Sequence, residues 1–292
     1  MKISGFTFVR NGFKLGYPVL ESLQSLLDIC DEVVIAIGNS DDETEERIKN
    51  LGNPKITIIS TIWDETLREG GTILAQQTDI ALQHCTGDWL LYLQADEVLH
   101  EKDYDVIKQY AHRFLHHPTI EGLLFSYYHF FGNYNYIGSG RQWYRSEIRM
   151  IKNTDRVFSW RDAQGFRTKD ANGMRKLKVA SIPVSIYHYG WVRNPIDYLK
   201  KQAAFHKLYH DDTWLKEYLP TSEEFPSCYQ LDTFTATHPK VMTNKIQSDH
   251  QWCEQFNPTI RKKRPFIVLL LDIIEKITGY RIGEYKNYTL ID

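Results

Sequence analysis

Short apolar runs alternate with segments of helical periodicity along the first hundred residues. Continuous apolar runs of strand length, which are typical of strands buried in a parallel sheet, lie at 3–9, 32–37, 56–62 and 89–93. Between these runs, segments with a helical pattern lie at 19–27, 42–51 and 73–84. Regular alternation of strand and helix predicts an α/β fold with right-handed crossovers and a parallel, Rossmann-like sheet.

The pattern changes after residue 100 and becomes more irregular. The elements predicted there are a helix at 103–116, a strand at 123–131, a turn-rich break at 132–136, extended pieces at 147–152 and 179–189, and helices at 198–209 and 265–278 around a loop-rich stretch near 211–245. The extended pieces are typical of an antiparallel or mixed extension of the sheet. We therefore expect one domain over 1–190 and a mostly helical extension over 191–292.

Composition and charge limit the kinds of ligand and partner that this chain is expected to bind. The 292 residues include 35 basic and 37 acidic side chains, so a formal net charge of -2 gives no reason to expect a nucleic-acid partner. Basic clusters at 175–178 and 261–264 are interpreted as solvated loop faces. The four cysteines lack the spacing of a zinc site or a disulfide scaffold, which favours reduced thiols. Neither a signal peptide nor a run long enough to span a membrane is apparent, so a cytoplasmic location is expected.

The apolar segment at 265–278 follows the basic cluster at 261–264. A helix with this pattern lies in a membrane surface, at the inner face of the membrane for a cytoplasmic protein. Alternatively, it packs on the core or on a second copy in a homodimer, which is the commoner arrangement. The sequence leaves these alternatives open.

Residues 87–97 carry the strongest chemical signal. The apolar run that begins at Trp89 delivers two carboxylates, Asp96 and Glu97, to its carboxyl end. Ligands of open α/β sheets bind at the carboxyl ends of the strands, and carboxylate oxygens suit Mg²⁺ and Mn²⁺. The alternative is that both side chains cap the following helix, where acidic groups interact well with the helix dipole.

Several motifs in the amino-terminal half resemble those of family-2 glycosyltransferases with the GT-A fold, nearest to the lipopolysaccharide-core branch. The motifs are Phe8-Val9-Arg10-Asn11 at the first strand end, Ser40-Asp41-Asp42-Glu43-Thr44 after the second strand, Gly87-Asp88-Trp89 before the fourth strand, and Gln94-Ala95-Asp96 after it. The resemblance covers roughly residues 1–190.

The resemblance implies a GT-A domain over 1–190, with a nucleotide-binding half at 1–100 and an acceptor half at 101–190. It implies metal-dependent, inverting transfer of a sugar from a nucleotide diphosphate sugar to a saccharide or glycolipid acceptor. Asp96 and the late His188 would hold Mn²⁺ or Mg²⁺. The residues expected at the donor are Phe8, Arg10, Asn11, Ser40, Asp42, Arg68, Gln94 and Asp96.

Two positions depart from the family pattern. Gln94 replaces the first aspartate of the Asp-x-Asp motif, although its amide can still bond a ribose hydroxyl. The aspartate that usually ends the second strand falls on Ile37 or Gly38. Asp41 or Asp42 substitutes for it, or else caps the next helix.

Asp162 is the best candidate for the general base that an inverting transfer requires. It lies among aromatic residues that could stack on sugar faces, but a structural salt bridge with Arg161 or Arg167 is the alternative. Asp170 is a weaker candidate. Four further assignments each have a structural or solvated alternative. They are Arg68 near the diphosphate, Arg149 on the acceptor side, His188 as a metal ligand rather than a core residue, and a metal group formed by His206, His210, Asp211 and Asp212.

Two other classes of function stay open at this stage. A nucleotidyltransferase shares the sheet and the metal-binding carboxylate, but it normally carries a glycine-rich phosphate loop after the first strand, where this chain has Arg10-Asn11-Gly12. A carbohydrate- or nucleotide-binding protein that kept the fold and lost turnover would explain Gln94.

Overall fold

The computed structural model describes residues 1–219, 222, 224–225, 227–260 and 262–291. Its strands are β1 (Ile3–Val9), β2 (Glu32–Gly38), β3 (Ile56–Thr61), β4 (Trp89–Tyr92), β5 (Glu97–Val98), β6 (Gly122–Gly132), β7 (Tyr136–Gly138), β8 (Ser146–Lys152), β9 (Val157–Trp160), β10 (Gly165–Asp170), β11 (Gly173–Lys176), β12 (Lys178–Val192), β13 (Leu231–Thr233) and β14 (Thr289–Leu290). Its helices are α1 (Val19–Leu27), α2 (Thr44–Lys49), α3 (Thr72–Gln83), α4 (Tyr104–Phe114), α5 (Pro195–His206), α6 (Asp212–Tyr218), α7 (Thr243–Cys253) and α8 (Phe266–Thr278).

A mixed sheet forms the centre of the molecule. Strands β3, β2, β1 and β4 lie side by side and run parallel. Strand β8 is antiparallel to β4 and to β6, and β12 pairs parallel with β6. Strands β9, β10 and β11 form a separate small antiparallel sheet. The predicted mixed α/β architecture is confirmed, including the antiparallel extension after residue 100.

The period-2 pattern of β1 explains how the sheet is covered on both faces. Ile3 and Val9 pack in one core cluster with Leu26 of α1 and Ile107 of α4. Phe6 points to the other face, into a cluster that includes α3 and the small sheet. Burial on both faces accounts for the continuous apolar runs of β1, β2 and β4, whereas β3 lies at the edge of the sheet and has no buried residue. The apolar side chains therefore hold the carboxyl ends of these strands at one edge.

The predicted helix at 42–51 is shorter than expected, because α2 spans only Thr44–Lys49. The Asp42 carboxylate accepts hydrogen bonds from the backbone N–H groups of Thr44, at 3.0 Å, and Lys14, at 2.8 Å. These bonds hold residue 42 in the loop before the helix. Asp42 thus ties two loops together at the end of β2.

The basic cluster at 175–178 is not a solvated loop face. Arg175 lies in β11 and forms ion pairs with Glu121 and Asp170, at 2.7 and 2.8 Å. The second basic cluster begins at Arg261, which lies outside the described residues. Its described part, 262–264, is exposed.

Helix α8 matches the predicted apolar segment but does not belong to the core, because none of its residues is buried. Glu275 attaches it to the rest of the chain through Arg141 and Arg281. No helix within the described ranges combines the length and apolar content that crossing a bilayer requires. The predicted loop-rich stretch at 211–245 contains α6 and β13.

Candidate active site

A cavity of about 610 Å³ opens at the carboxyl ends of the parallel strands. Its lining includes Val9 at the end of β1, Ala95 after β4, Ala204 in α5 and Leu208 just after α5. The position agrees with the general rule for ligand sites in open α/β sheets. The cavity is large enough for a small organic ligand.

Most of the residues predicted for the site line this cavity. They are Phe8, Arg10, Asn11, Arg68, Gln94, Asp96, Asp162 and His188. Ser40 and Asp42 lie outside the cavity lining. The Ser40 hydroxyl accepts a hydrogen bond from the backbone N–H of Asn11 at 3.0 Å, so it supports the loop that carries Asn11.

The two adjacent carboxylates, Asp96 and Glu97, have different surroundings. Both Glu97 oxygens accept hydrogen bonds from the Arg149 guanidinium at 2.8 Å, and the Tyr127 hydroxyl donates another at 2.8 Å. Glu97 and Arg149 are fully buried, so this pair is a structural element of the cavity wall, which Arg149 lines. Asp96 is therefore the carboxylate of the pair that reaches the cavity.

Asp96 lies next to one histidine and one lysine. Its Oδ2 is 3.6 Å from Nε2 of His188 and 3.6 Å from Nζ of Lys201. Burial alone would raise the pKa of Asp96, but its interactions with the neighbouring His188 and Lys201 outweigh burial and lower that pKa well below its usual range. A side chain at Gly190 would collide with Asp96 and His188, so a glycine is required for this close approach.

His188 is oriented by a second histidine, His129. Nε2 of His129 lies 2.8 Å from the carbonyl oxygen of Tyr144, which can only accept a hydrogen bond, so this nitrogen carries a proton. Burial and the neighbouring His188 hold the pKa of His129 well below its usual range, so the ring is neutral and its Nδ1 accepts. Nδ1 of His188, 2.9 Å away, must then donate.

When Nδ1 carries the only proton of the ring, His188 has a lone pair on Nε2. That nitrogen faces the Asp96 carboxylate, which also only accepts, so a cation between the two groups is favourable. Metal-binding histidines commonly donate their other ring N–H to a fixed acceptor in this way. The donor set of one carboxylate and one imidazole therefore fits Mn²⁺ or Mg²⁺ completed by phosphate oxygens and water.

Two buried cations that the sequence does not identify lie beside Asp96. Lys201 donates to the carbonyl oxygen of Gly190 at 2.7 Å, and Arg193 donates to that of Leu15 at 2.6 Å. Burial and the Arg193 charge lower the pKa of Lys201 to about 7. The cavity edge near Asp96 therefore holds two cationic side chains, of which Lys201 is only partly protonated at neutral pH.

Asp162 lies on a tight turn in the cavity wall. Its Oδ2 accepts a hydrogen bond from the Tyr209 hydroxyl at 3.0 Å. The predicted salt bridge is wrong within the described residues, because Arg161 stacks near Trp160 and Arg167 bonds Asn287. Asp162 is thus held by a neutral donor and lines the cavity.

Residues that follow α5 form ion pairs with residues at the rim of the cavity. Glu65 accepts from Arg10 at 2.6 Å and from Lys207 at 2.9 Å. Arg68 pairs with Asp212 at 2.5 Å, so it is not a free solvated side chain. The predicted metal group around His206 and Asp212 is not formed: the described chain contains no cluster of three or more His, Cys, Asp or Glu suited to a metal.

Comparison with known sequences identifies the family. The model of the family "Glycosyl transferase family 2" matches residues 17–180, which is more than half of the chain. The chain belongs to glycosyl transferase family 2. The predicted family resemblance is thereby confirmed, while the lipopolysaccharide-core branch stays a prediction. No curated protein matches the sequence.

Solved structures with local similarity to this family-2 chain include S. aureus TarS 1–349 in complex with UDP-GlcNAc, at 19% identity and a TM-score of 0.33, covering 44% of this chain and 35% of that one. Another is mannosyltransferase PcManGT from Pyrobaculum calidifontis in complex with GDP-Man and Mn²⁺, at 22% identity and a TM-score of 0.32, covering 42% and 34%. A third is glucosyl-3-phosphoglycerate synthase from Mycobacterium tuberculosis with Mn²⁺, UDP and phosphoglyceric acid, at 18% identity and a TM-score of 0.30, covering 44% and 43%. The chain spans less than half the length of each.

Proposed function

We propose that this chain transfers a sugar from a nucleotide diphosphate sugar to a saccharide or glycolipid acceptor, with inversion at the anomeric carbon. The observation that carries the proposal is Asp96 beside the Nε2 lone pair of His188, in a cavity at the carboxyl ends of the parallel strands. Residues 1–190 form the GT-A catalytic domain, with nucleotide and acceptor halves at 1–100 and 101–190. Residues 191–292 extend it and contribute α5 to the cavity wall.

The donor nucleotide is assigned to the side of the cavity nearest β1. Phe8 and Trp63 offer aromatic surface there, with ring centroids 6.1 Å apart, and the Arg10 guanidinium lies 5.4 Å from the Trp63 ring. Asn11 and Gln94 supply amide groups for ribose hydroxyls. Ser40 and Asp42 act through the Asn11 and Lys14 backbones rather than through ligand contact.

Asp96 and His188 are the residues that would hold Mn²⁺ or Mg²⁺. A bound divalent ion neutralises charge that develops on the departing diphosphate. His129 directs a proton to Nδ1 of His188, which leaves Nε2 as the nitrogen that would bind the ion, and Gly190 leaves room for the two ligands to approach.

Asp162 is assigned as the general base. It accepts the proton of the acceptor hydroxyl as that oxygen attacks the anomeric carbon, while the electron pair of the broken C–O bond goes to the diphosphate. The Tyr209 hydroxyl fixes one carboxylate oxygen. Among the described residues Asp162 forms no salt bridge, and a carboxylate outside a salt bridge accepts a proton more readily than one within it.

A glycolipid acceptor is supported by helix α8, whose outer face is apolar and exposed. The residues of that face are Phe266, Ile267, Leu270, Ile273, Ile274 and Ile277. The acidic groups of the helix, Asp272 and Glu275, are paired with arginines, while Lys262 and Lys263 precede it. Apolar surface flanked by exposed lysines complements an anionic lipid surface better than a second copy of itself.

The test is a binding and turnover experiment on the whole chain. UDP, GDP, CDP and dTDP and their sugars are screened by thermal shift with Mn²⁺, and nucleotide release is measured with whichever sugar binds. We expect one base series to raise the melting temperature, with the Mn²⁺-dependent part of the shift lost in Asp96→Asn and kept in the exposed control Asp155→Asn. Binding without release would favour the binding-protein alternative, and no binding in any series would contradict the donor site.

A further inference from the structure

Lys201 and Arg193 lie side by side beneath the cavity edge and share one aromatic surface. Nζ of Lys201 lies 5.3 Å from the centroid of the Tyr17 ring, and the Arg193 guanidinium lies 4.9 Å from it. Arg193 is 2% exposed and Lys201 is 9% exposed. Tyr17, Leu15 and Lys201 line the cavity itself, and Arg193 packs directly behind Tyr17 and Leu15.

The hydrogen bonds of Arg193 are incomplete. Nη1 donates to the carbonyl oxygen of Leu15, but Nε and Nη2 are buried and have no hydrogen-bond partner among the described residues. A buried guanidinium with two unmade bonds is costly unless a ligand completes them. Two unpartnered N–H groups of one guanidinium match a pair of phosphate or carboxylate oxygens.

The charges around these side chains do not balance. Glu97 is neutralised by Arg149, and Asp96 is the acidic residue within ion-pair distance of Lys201 in the described chain. Arg193 has no ion pair there. With Lys201 protonated, the buried group carries one more positive charge than negative, and a low-dielectric site in that state favours an anionic ligand.

We infer that Lys201 and Arg193 form a fixed cationic site for the diphosphate of the donor, which binds without a divalent ion. The inference rests on the proposed function, because it assigns the negative ligand to the same cavity. In the transfer, the C–O bond breaks and its electron pair stays on the terminal phosphate oxygen, where the two cations stabilise it. A metal bound at Asp96 would then strengthen diphosphate binding but would not be required for it.

The experiment compares nucleoside diphosphate binding with and without metal. Calorimetric titrations of UDP, GDP, CDP and dTDP are run in EDTA and in Mn²⁺ on the wild type, Lys201→Met and the control Lys200→Met. Lys200 is the adjacent lysine, which is exposed and pairs with Asp197 at 2.9 Å. We expect the wild type and Lys200→Met to bind one nucleotide in EDTA, and Lys201→Met to bind it about tenfold to a hundredfold more weakly, as expected for a lost charged hydrogen bond.

The outcomes separate this inference from the proposed function. Binding in Mn²⁺ but not in EDTA, or unchanged EDTA binding by Lys201→Met, would overturn the cationic site and leave the glycosyltransferase proposal intact. Absence of binding in both conditions would overturn the donor site as well.

Wild-type protein provides a second test that does not depend on the folding of a variant. Inorganic pyrophosphate carries the same charged groups, so in EDTA it should compete with the nucleotide, with an affinity that falls as salt concentration rises. Nucleotide binding in EDTA that pyrophosphate does not weaken would place the ligand elsewhere. The unliganded melting temperatures of Lys201→Met and Lys200→Met report whether each variant is folded.

Discussion

His129 and His188 are register partners on the adjacent parallel strands β6 and β12, and their Nδ1 atoms lie 2.9 Å apart. This pairing joins the acceptor half of the domain to the carboxylate at the end of β4. Because the Tyr144 carbonyl fixes the proton on His129, the tautomer of His188 is set by a residue that lies outside the cavity lining. His129 is therefore a positioning residue.

The first prediction concerns that positioning role. His129→Phe preserves an aromatic ring but removes the acceptor for Nδ1 of His188, so Nε2 of His188 is free to take the proton. We expect Mn²⁺ affinity to fall about tenfold to a hundredfold, in line with the loss of a partner behind a metal-binding histidine. Mn²⁺ titration followed by electron paramagnetic resonance measures it. If nucleotide binding in EDTA fell equally, the substitution would be acting on the fold and not on the tautomer.

The second prediction concerns Asp162. Asp162→Asn keeps the hydrogen bond from Tyr209 but cannot accept a proton, so turnover should fall about a hundredfold to ten-thousandfold while donor affinity changes little. Steady-state nucleotide release with acceptor present gives the rate, and calorimetry gives the affinity. Equal losses of rate and of affinity would instead indicate that Asp162 binds the donor.

The pattern of apolar residues predicted the strands and the edge where the cavity lies. Carboxyl ends of neighbouring parallel strands meet in space, which is why Asn11 and Asp96 could be placed together from sequence. Asp162 and Arg68 were also placed on the cavity, but the partners that hold them, Tyr209 and Asp212, were not. These contacts join segments distant in the chain, and no local periodicity encodes them.

Lys201 could not be predicted as part of the site. A lysine within a polar helix normally lies in solvent, and its burial depends on α5 docking against Tyr17 and Asp96. The role of His129 could not be predicted from the sequence either, because only the register between β6 and β12 brings it to His188. Glu97 is a different case. Its position beside Asp96 predicts a metal ligand, but the buried Arg149 forms an ion pair with it instead.

The third prediction is a pH dependence of stability that arises from Glu147. Burial raises the pKa of this carboxyl to about 8, against the opposing charge of Arg149. The folded state thus holds a proton that the unfolded chain releases near its ordinary pKa. This contribution to stability is complete at low pH and is lost as the pH rises through about 8. We expect Glu147→Gln to lose less stability than the wild type between pH 6 and pH 9.

Chemical denaturation of both proteins across that range measures the difference. Gln164 donates to Glu147 at 2.9 Å, and the amide of Glu147→Gln retains an acceptor for it, so folding should be preserved. Parallel pH profiles for the two proteins would mean that Glu147 is ionised in the folded state.

The fourth prediction concerns helix α8. Ile277 is 78% exposed at the end of an apolar face, and the face is flanked by Lys262 and Lys263. Partition of this face into an anionic interface should therefore hold the chain on vesicles that contain phosphatidylglycerol, and only weakly on pure phosphatidylcholine. Ile277→Ser should weaken the binding several-fold, because it removes part of the buried apolar area.

Ile62 provides a matched control, since it is 84% exposed and lies after β3, in a different part of the chain. Ile62→Ser should co-sediment with anionic vesicles as the wild type does. A wild type that ignores vesicles but sediments as a dimer, and that becomes monomeric in Ile277→Ser, would show that α8 binds a second copy of the chain. High salt distinguishes the two cases further, because it weakens attraction to anionic lipid and strengthens apolar association.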